Sequence, residues 1–545
     1  VLISLSKEFK YVHAMKKYIL GLSVAAALTV SLGSCSSDFL DQKILGQQDM
    51  NNYFTNESEC AEQVTGCYQS LAFDDWWQIY KFYLSGDICT DDEWMGNTTQ
   101  DPGDYYPLSH YTGNTTAAGN ACQNFWQYRY KGILQCNIAI SKIPNVTFTD
   151  SALQQRYIAE AKFLRAFEYF DLVKNFGGVP LVEGLVMPDQ VKGITRASEA
   201  ETYQFIERDL KEAIPYLPKR SEYSSADMGR ATQGAAQGLL GKVYLYQDKY
   251  DSAAVVLKKV IDSGEYHLLA NFGDVWSMDH NNSAESLFEI QTNNELSYNL
   301  GERISVVTGS RDDAGWAWGG PTSNLEKAFK DAGDSIRLMW TILHHNQTYV
   351  PNDNSWTVDN PYIISPSKHK SARSNMKLYI PKDKRPDPYD APHIPLNYRL
   401  LRYADVLLMY AECENQLSND VEARNALNLV RERVKLPDVT SSGKDLRDAI
   451  RLERRLELAL EDNRLYDLRR WKDDNGKPAI DNIMGPNGSF VVYNMKESTD
   501  PYETTNSGEN SNKGYTFEDG RDELFPIPVS EITLSNGSIK QNPGY

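Results

Sequence analysis

Two stretches of the sequence combine aromatic and polar side chains in the way a sugar would require. A sugar ring offers C–H faces that stack on indole and phenol rings, while its hydroxyls seek Asn, Asp, Gln and Arg. Asp87-Ile-Cys-Thr-Asp-Asp-Glu-Trp94-Met-Gly-Asn97-Thr-Thr-Gln100, leading into Tyr105-Tyr106, is polar chain punctuated by Gly and Pro. No apolar period there buries a tryptophan, so Trp94 is expected at the surface with Asn97 as a hydrogen-bonding partner. Arg311-Asp-Asp-Ala-Gly-Trp316-Ala-Trp318-Gly-Gly320 sets two Trp two residues apart on Gly-flanked loop. In extended chain alternate side chains share a face, so Trp316 and Trp318 would form one stacking platform, with Arg311 as its polar partner. Tyr298 is a weaker candidate for the same surface. The competing reading is that such indoles cover a helical core from outside, as Trp76-Trp77 is expected to do near a helix end.

Glu453, Glu457 and Glu461 fall at i, i+4 and i+8, about 6 Å apart on one helix face, a spacing that imitates a glycosidase carboxylate pair. Arg451, Arg454, Arg455, Arg464 and Arg469 crowd the same segment. Neighbouring guanidinium groups lower a carboxylate pKa, whereas a general acid needs it raised. These glutamates therefore read as salt-bridge scaffold, and no catalytic residue is assigned. His344-His345 lacks any zinc or triad context and reads as surface. No metal or cofactor is assigned; Asp331-Ala-Gly-Asp334 and Asp353 are the acidic loops that could hold calcium, without the twelve-residue hand pattern. No two cysteines stand in C-x-x-C spacing. Cys60 and Cys67, seven apart on a helix, are about 10 Å apart, too far for a disulfide.

The elements that position these residues are mostly helical. Apolar residues step by three or four along the run that Asp150 caps (Leu153, Tyr157, Ala161, Leu164, Phe167), ending at Gly177-Gly178. Further helices are predicted over 57–72, 125–142, 199–214, 232–247, 250–263, 323–331, 401–416, 420–433 and 444–471. Gly, Pro, Asn and Asp accumulate over 73–120, 265–400 and 472–545, so the scaffold (51–264 and 400–471) is read as interrupted by long loop-rich excursions, which usually carry function. Two helix pairs look like tetratricopeptide units, with Leu240, Gly241, Tyr244, Ala253 and Leu257 in one, and Leu407, Ala411, Ala423, Leu427 and Val430 in the other. The small residue lets two helices approach and the large ones fill the groove.

The chain has 545 residues and a formal charge of −18, with no basic run, which argues against nucleic acid or an anionic membrane as the main partner. Lys16-Lys17, an apolar stretch over 18–32 and Gly33-Ser34-Cys35 form a secretory signal, with Met15 the natural start and 1–14 read as upstream sequence. Leu32-Gly-Ser-Cys35 resembles a bacterial lipobox, in which Cys35 receives lipid and residues 35–50 form a tether; several acyl chains hold a protein firmly on a membrane.

In sum of its motifs the chain resembles the SusD/RagB family of surface lipoproteins. The residues that carry the resemblance are Cys35-Ser-Ser-Asp-Phe-Leu-Asp41, Ala159-Glu-Ala-Lys-Phe-Leu-Arg-Ala-Phe167, Phe176-Gly-Gly-Val-Pro180 and Leu401-Arg-Tyr-Ala-Asp-Val-Leu-Leu-Met-Tyr-Ala-Glu412. Glu453-Arg-Arg-Leu-Glu-Leu-Ala-Leu460, Arg464-Leu-Tyr-Asp-Leu-Arg-Arg-Trp471, Phe525-Pro-Ile-Pro528 and Gln541-Asn-Pro-Gly-Tyr545 complete the set. The resemblance implies a mainly α, tetratricopeptide-like scaffold with a loop-rich ligand face over residues 51–545. It implies an outer-membrane lipoprotein facing the cell exterior, which lids a SusC-like TonB-dependent barrel and delivers oligo- or polysaccharide to it without cutting. In glycan-binding members an aromatic arc plus Asn and Arg from equivalent loops holds the sugar. Peptide capture as in RagB and, from another class, a surface glycoside hydrolase are the alternatives.

Overall fold

The described chain is mainly helical, and most of its long helices pack on their neighbours in the sequence. The computed structural model describes residues 53–73, 80–96, 105–112, 119–186, 193–345, 362–365, 371–490 and 515–545. We number the elements used below: α1 (Glu57–Gln69), α2 (Gly119–Lys142), α3 (Ser151–Phe176), α4 (Glu199–Ala213), α5 (Gln233–Leu245) and α6 (Tyr250–Asp262). After a long excursion come α10 (Tyr403–Gln416), α11 (Asp420–Arg433), α12 (Gly443–Glu457) and α13 (Arg464–Arg470). α1 to α6 pack pairwise in order, α6 packs on α10, and α10 packs on both α11 and α12.

Local sequence sets the helix ends. Asp150 accepts the Ala152 N–H at the start of α3, and Gly177, at φ 72°, ends it in a conformation that costs glycine nothing. Ser198 and Glu201 form a reciprocal capping box on α4. The expected close approach of α5 and α6 is present: a Cβ on Gly241 would lie 2.4 Å from Leu257 Cδ2.

The excursion between α6 and α10 is closed at its base by a short antiparallel ladder that the sequence reading lacked. β2 (Ser286–Ile290) pairs with β6 (Tyr398–Arg402), with Ser286 opposite Arg402 and Ile290 opposite Tyr398. Between them lie α7 (Ile304–Thr308), α8 (Ser323–Asp331), α9 (Ser335–Thr341), and β4 (Ile342–His344) paired with β5 (Arg373–Asn375). β1 (Glu93–Trp94) and β3 (Gly320–Pro321) form a further two-residue pair.

The helix expected over 444–471 is instead two. α12 stops at Glu457, Leu460 and Asp462 take positive φ (63° and 57°), and α13 starts at Arg464. The six cysteines beyond residue 52 are all buried thiols with no disulfide. His344, expected at the surface, is half-buried on β4.

A buried lattice of charges joins the excursion to the scaffold. Glu457 meets Arg337 (3.0 Å), Arg402 (2.5 Å) and Arg433, Glu453 meets Arg337 and Arg431, and Glu461 meets Arg402 and Lys377. Burial alone would raise the Glu457 carboxyl, but the guanidinium groups of Arg433, Arg402 and Arg337 hold it well below the usual carboxylate range. The three glutamates are thus ion-paired.

Candidate functional site

The loop that carries Trp316 and Trp318 is shaped by backbone bonds to α7. The Trp316 N–H donates to the Val306 carbonyl at 2.9 Å, Ala317 to Gly309 at 2.9 Å and Trp318 to Val307 at 3.0 Å. Gly315 runs so close to Gly309 that a Cβ there would sit 2.1 Å from its carbonyl, so no larger residue fits. Ala317 lies at φ 58°, and the segment is therefore not extended. The expected flat platform is replaced by an edge-to-face pair, with ring centroids 5.1 Å apart and planes at 65°. Trp316 remains 37% exposed, while Trp318 is half-buried and braces it. Such a pair presents one indole face to solvent in a fixed orientation.

Arg311 braces the loop. Its Nε donates to the Trp316 carbonyl at 2.8 Å and so holds the loop. The adjacent carboxylates are also committed: Asp313 accepts from Arg385 at 2.9 and 2.6 Å and from the Tyr362 hydroxyl, and Asp312 accepts the Ser365 N–H. Tyr298 is 60% exposed, on a separate turn where its N–H donates to the Glu295 carbonyl.

Trp94 comes beside this loop through the backbone, but not as a surface ring. It sits opposite Gly320 in the β1–β3 pair, the Gly319 N–H donates to the Met95 carbonyl at 2.8 Å, and the Trp94 side chain is only 3% exposed. Polar chain buries this indole because the cover comes from segments far away in sequence, which local periodicity does not register. Asn97 and Cys35 lie outside the described residues, as do Trp76, Trp77 and Asp353.

The acidic run before Trp94 anchors the pair of strands. Thr322 donates its N–H to the Asp92 carbonyl (2.9 Å) and its hydroxyl to the Asp91 carbonyl (2.6 Å). Arg455, on α12, bridges Asp91 at 3.0 Å and Asp92 at 2.5 Å, and Arg464 contacts Asp91 at 3.0 Å. Burial opposes ionisation of Asp91, yet these two guanidinium groups bring its carboxyl down to about 2. Glu93, buried and next to Asp87 and Asp92, is pushed well above the carboxylate range, first by burial and then by those neighbours. Its carboxyl lies under the loop, since a Cβ on Gly319 would meet Glu93 Oε1 at 2.7 Å. Sequence reasoning missed Glu93 and the Arg455 brace; the signal was the consecutive Asp91-Asp92-Glu93 matched by the arginines of the later helix.

The acidic loop considered for calcium spends its carboxylates otherwise. Asp334 caps α9 by accepting the Arg337 N–H (3.0 Å) and pairs with the Arg337 guanidinium, and Asp331 pairs with Lys327. Among the described residues, Asp481, Asp519 and Glu523 bring three carboxylates within 4.8 Å of one another, with Lys477 2.8 Å from Asp519.

Comparison with known proteins gives two family matches, one to each part of the chain. Residues 38–245 match the family described as "Starch-binding associating with outer membrane", and residues 276–545 match the "SusD family". A SusD-like protein of Formosa agariphila is 26% identical, over 97% of this chain and 100% of its own length. A laminarin-binding SusD-like protein superposes with a TM-score of 0.70 at 27% identity, covering 90% of this chain and 100% of that one. A SusD-like protein from Bacteroides fragilis gives 0.73 at 25% identity, covering 92% and 99%.

Proposed function

The chain belongs to the SusD/RagB family, and from that premise we propose that it captures oligo- or polysaccharide at the outer-membrane surface and passes it, uncut, to a SusC-like TonB-dependent barrel. Carbohydrate binding is the function of the family at its coarsest, and relatives are named for starch and laminarin. The observation that carries the reading is the Trp316–Trp318 pair: an exposed indole, braced edge-on and locked to the scaffold by four loop hydrogen bonds, is a preorganised stacking surface. Binding rather than hydrolysis is supported by the state of the carboxylates. Asp312 and Asp313 on the loop are bonded to the Ser365 N–H, Arg385 and Tyr362, the raised Glu93 carboxyl is buried beneath the loop, and Glu453, Glu457 and Glu461 are ion-paired in the interior. Tyr298 and Asn97 are offered as outer contacts of the same ligand, and Trp94 as support beneath it.

Affinity electrophoresis of the protein through gels cast with plant, fungal and host polysaccharides tests the proposal. Retardation by one class of polymer, lost in the Trp316→Ala/Trp318→Ala double variant, is the expected result. Stacking of a flat base on one aromatic contributes about 1–3 kcal/mol, and taking the lower end of that range for a sugar ring the variant should lose about fivefold in affinity. Retardation that survives the double substitution would move the site elsewhere, and release of reducing ends from any polymer would replace capture by hydrolysis.

A further inference from the structure

A second cleft, of about 360 Å³, opens on the helical scaffold between the first turns of α4, the end of α5 and α13. That is within the range of about 300–1,000 Å³ usual for small-ligand sites. Tyr203, Tyr246 and Tyr466 line it, with Lys174, Arg469, Arg470 and Lys472 as its cations and Glu199, Asp248 and Glu523 as its carboxylates. Tyr203 is 4% exposed and lines the cleft. A tyrosine offers an apolar ring together with a hydroxyl that donates or accepts, so it suits a ligand carrying hydroxyls of its own.

Arg469 is weakly partnered for a guanidinium. Its terminal nitrogens reach only two backbone carbonyls at long range, Lys174 at 3.5 Å and Asp522 at 3.4 Å, and its Nε is buried without a partner. No described carboxylate forms an ion pair with it, whereas the adjacent Arg470 is clamped by Glu412 at 2.5 Å and Asp467 at 2.7 Å. The Phe525 ring, 4.6 Å from the Arg469 guanidinium carbon, fixes the group in place. An arginine left unneutralised in a largely acidic protein, facing a cleft, is suited to a ligand anion. A simple anion would answer Arg469 but leave the Tyr203 and Tyr246 hydroxyls and the Glu199 acceptor unused. A sugar bearing a carboxylate answers all of them.

We propose that this cleft is a second carbohydrate site, for a hexuronate residue, its carboxylate on Arg469 and its hydroxyls on Tyr203, Tyr246 and Glu199. The inference does not depend on the Trp316–Trp318 loop, and failure of either site leaves the other standing.

Calorimetric titration of the protein with sodium D-glucuronate tests it, with D-glucose (hydroxyls without carboxylate) and acetate (carboxylate without hydroxyls) as paired probes. Glucuronate should bind at least about tenfold more tightly than either. Arg469→Gln should cost about tenfold. Tyr203→Phe, which keeps the packed ring, should cost about threefold to tenfold. Absence of glucuronate binding, acetate binding as tight as glucuronate, or full affinity in Tyr203→Phe and Arg469→Gln would overturn the proposal.

Discussion

Glu302 shows what a single buried carboxyl does to this protein. It stands just ahead of α7, the helix that the Trp316–Trp318 loop is bonded to, and its two oxygens accept the N–H groups of Ile304 and Ser305. Burial raises its pKa from 4.5 to about 7, against the lowering influence of those bonds. Below pH 4.5 the group is protonated whether or not the chain is folded. Between 4.5 and 7 the unfolded chain ionises and the native one does not, so the stability this group contributes is lost as pH rises through that window. About 2.5 units correspond to roughly 3 kcal/mol. Glu168 and Asp462, raised by burial to about 7 as well, act in the same direction. Urea unfolding at pH 5 and pH 8 should therefore find the protein less stable at pH 8. Glu302→Gln should flatten that dependence, and at pH 5 be about 1–3 kcal/mol less stable, because an amide has one acceptor for two donors. An unchanged slope in the variant would show that Glu302 is ionised when folded.

At the scale of elements, the binding loop depends on an arginine far from it in sequence. Arg455 holds Asp91 and Asp92, these hold Thr322, and the β1–β3 pair that results fixes the chain immediately after Trp318. Replacing Arg455 by Met leaves buried Asp92 without its close partner and Asp91 with Arg464 alone, which should destabilise by about 3 kcal/mol. Adding Asp92→Asn should recover part of that loss, and the midpoints of the two variants in urea measure the recovery; identical midpoints would exclude coupling. These dependencies also explain what the sequence could and could not show. Helices such as α6 and α11 read almost to the residue, because their apolar periods and ends are local. Gly241 against Leu257 was legible for the same reason. The strands β1 and β3, two residues each, have no period to read, and Trp94 is buried by pairing with chain more than two hundred residues away. The break between α12 and α13 escaped because the apolar spacing continues across it, while Leu460 and Asp462 turn left-handed. For the candidate site, the Trp316–Trp318 pair was visible by composition, but its edge-to-face geometry follows from the left-handed Ala317 and the bonds to α7.

On the scale of the whole molecule, capture is useful only if the ligand is held where the transporter can take it. Among the described residues no helix is long and apolar enough to cross a membrane. We propose that the attachment is the lipid the lipobox-like sequence predicts on Cys35, joined to the helical scaffold through the residues that precede α1. One acyl chain gives only marginal, reversible membrane binding, with an association constant of about 10⁴ M⁻¹, so a stably held protein requires the several chains that a lipidated cysteine carries. Cys35→Ala should then move the protein from the membrane fraction to the soluble fraction of its native cell, while glycan retardation of the purified protein stays the same, because the Trp loop is held by its bonds to α7 and Arg311. If the variant remained with the membrane after a wash that strips peripheral proteins, the barrel partner rather than the lipid would be the dominant tether. The two tethers are separable, since deletion of the barrel should release Cys35→Ala but leave the lipidated protein in place.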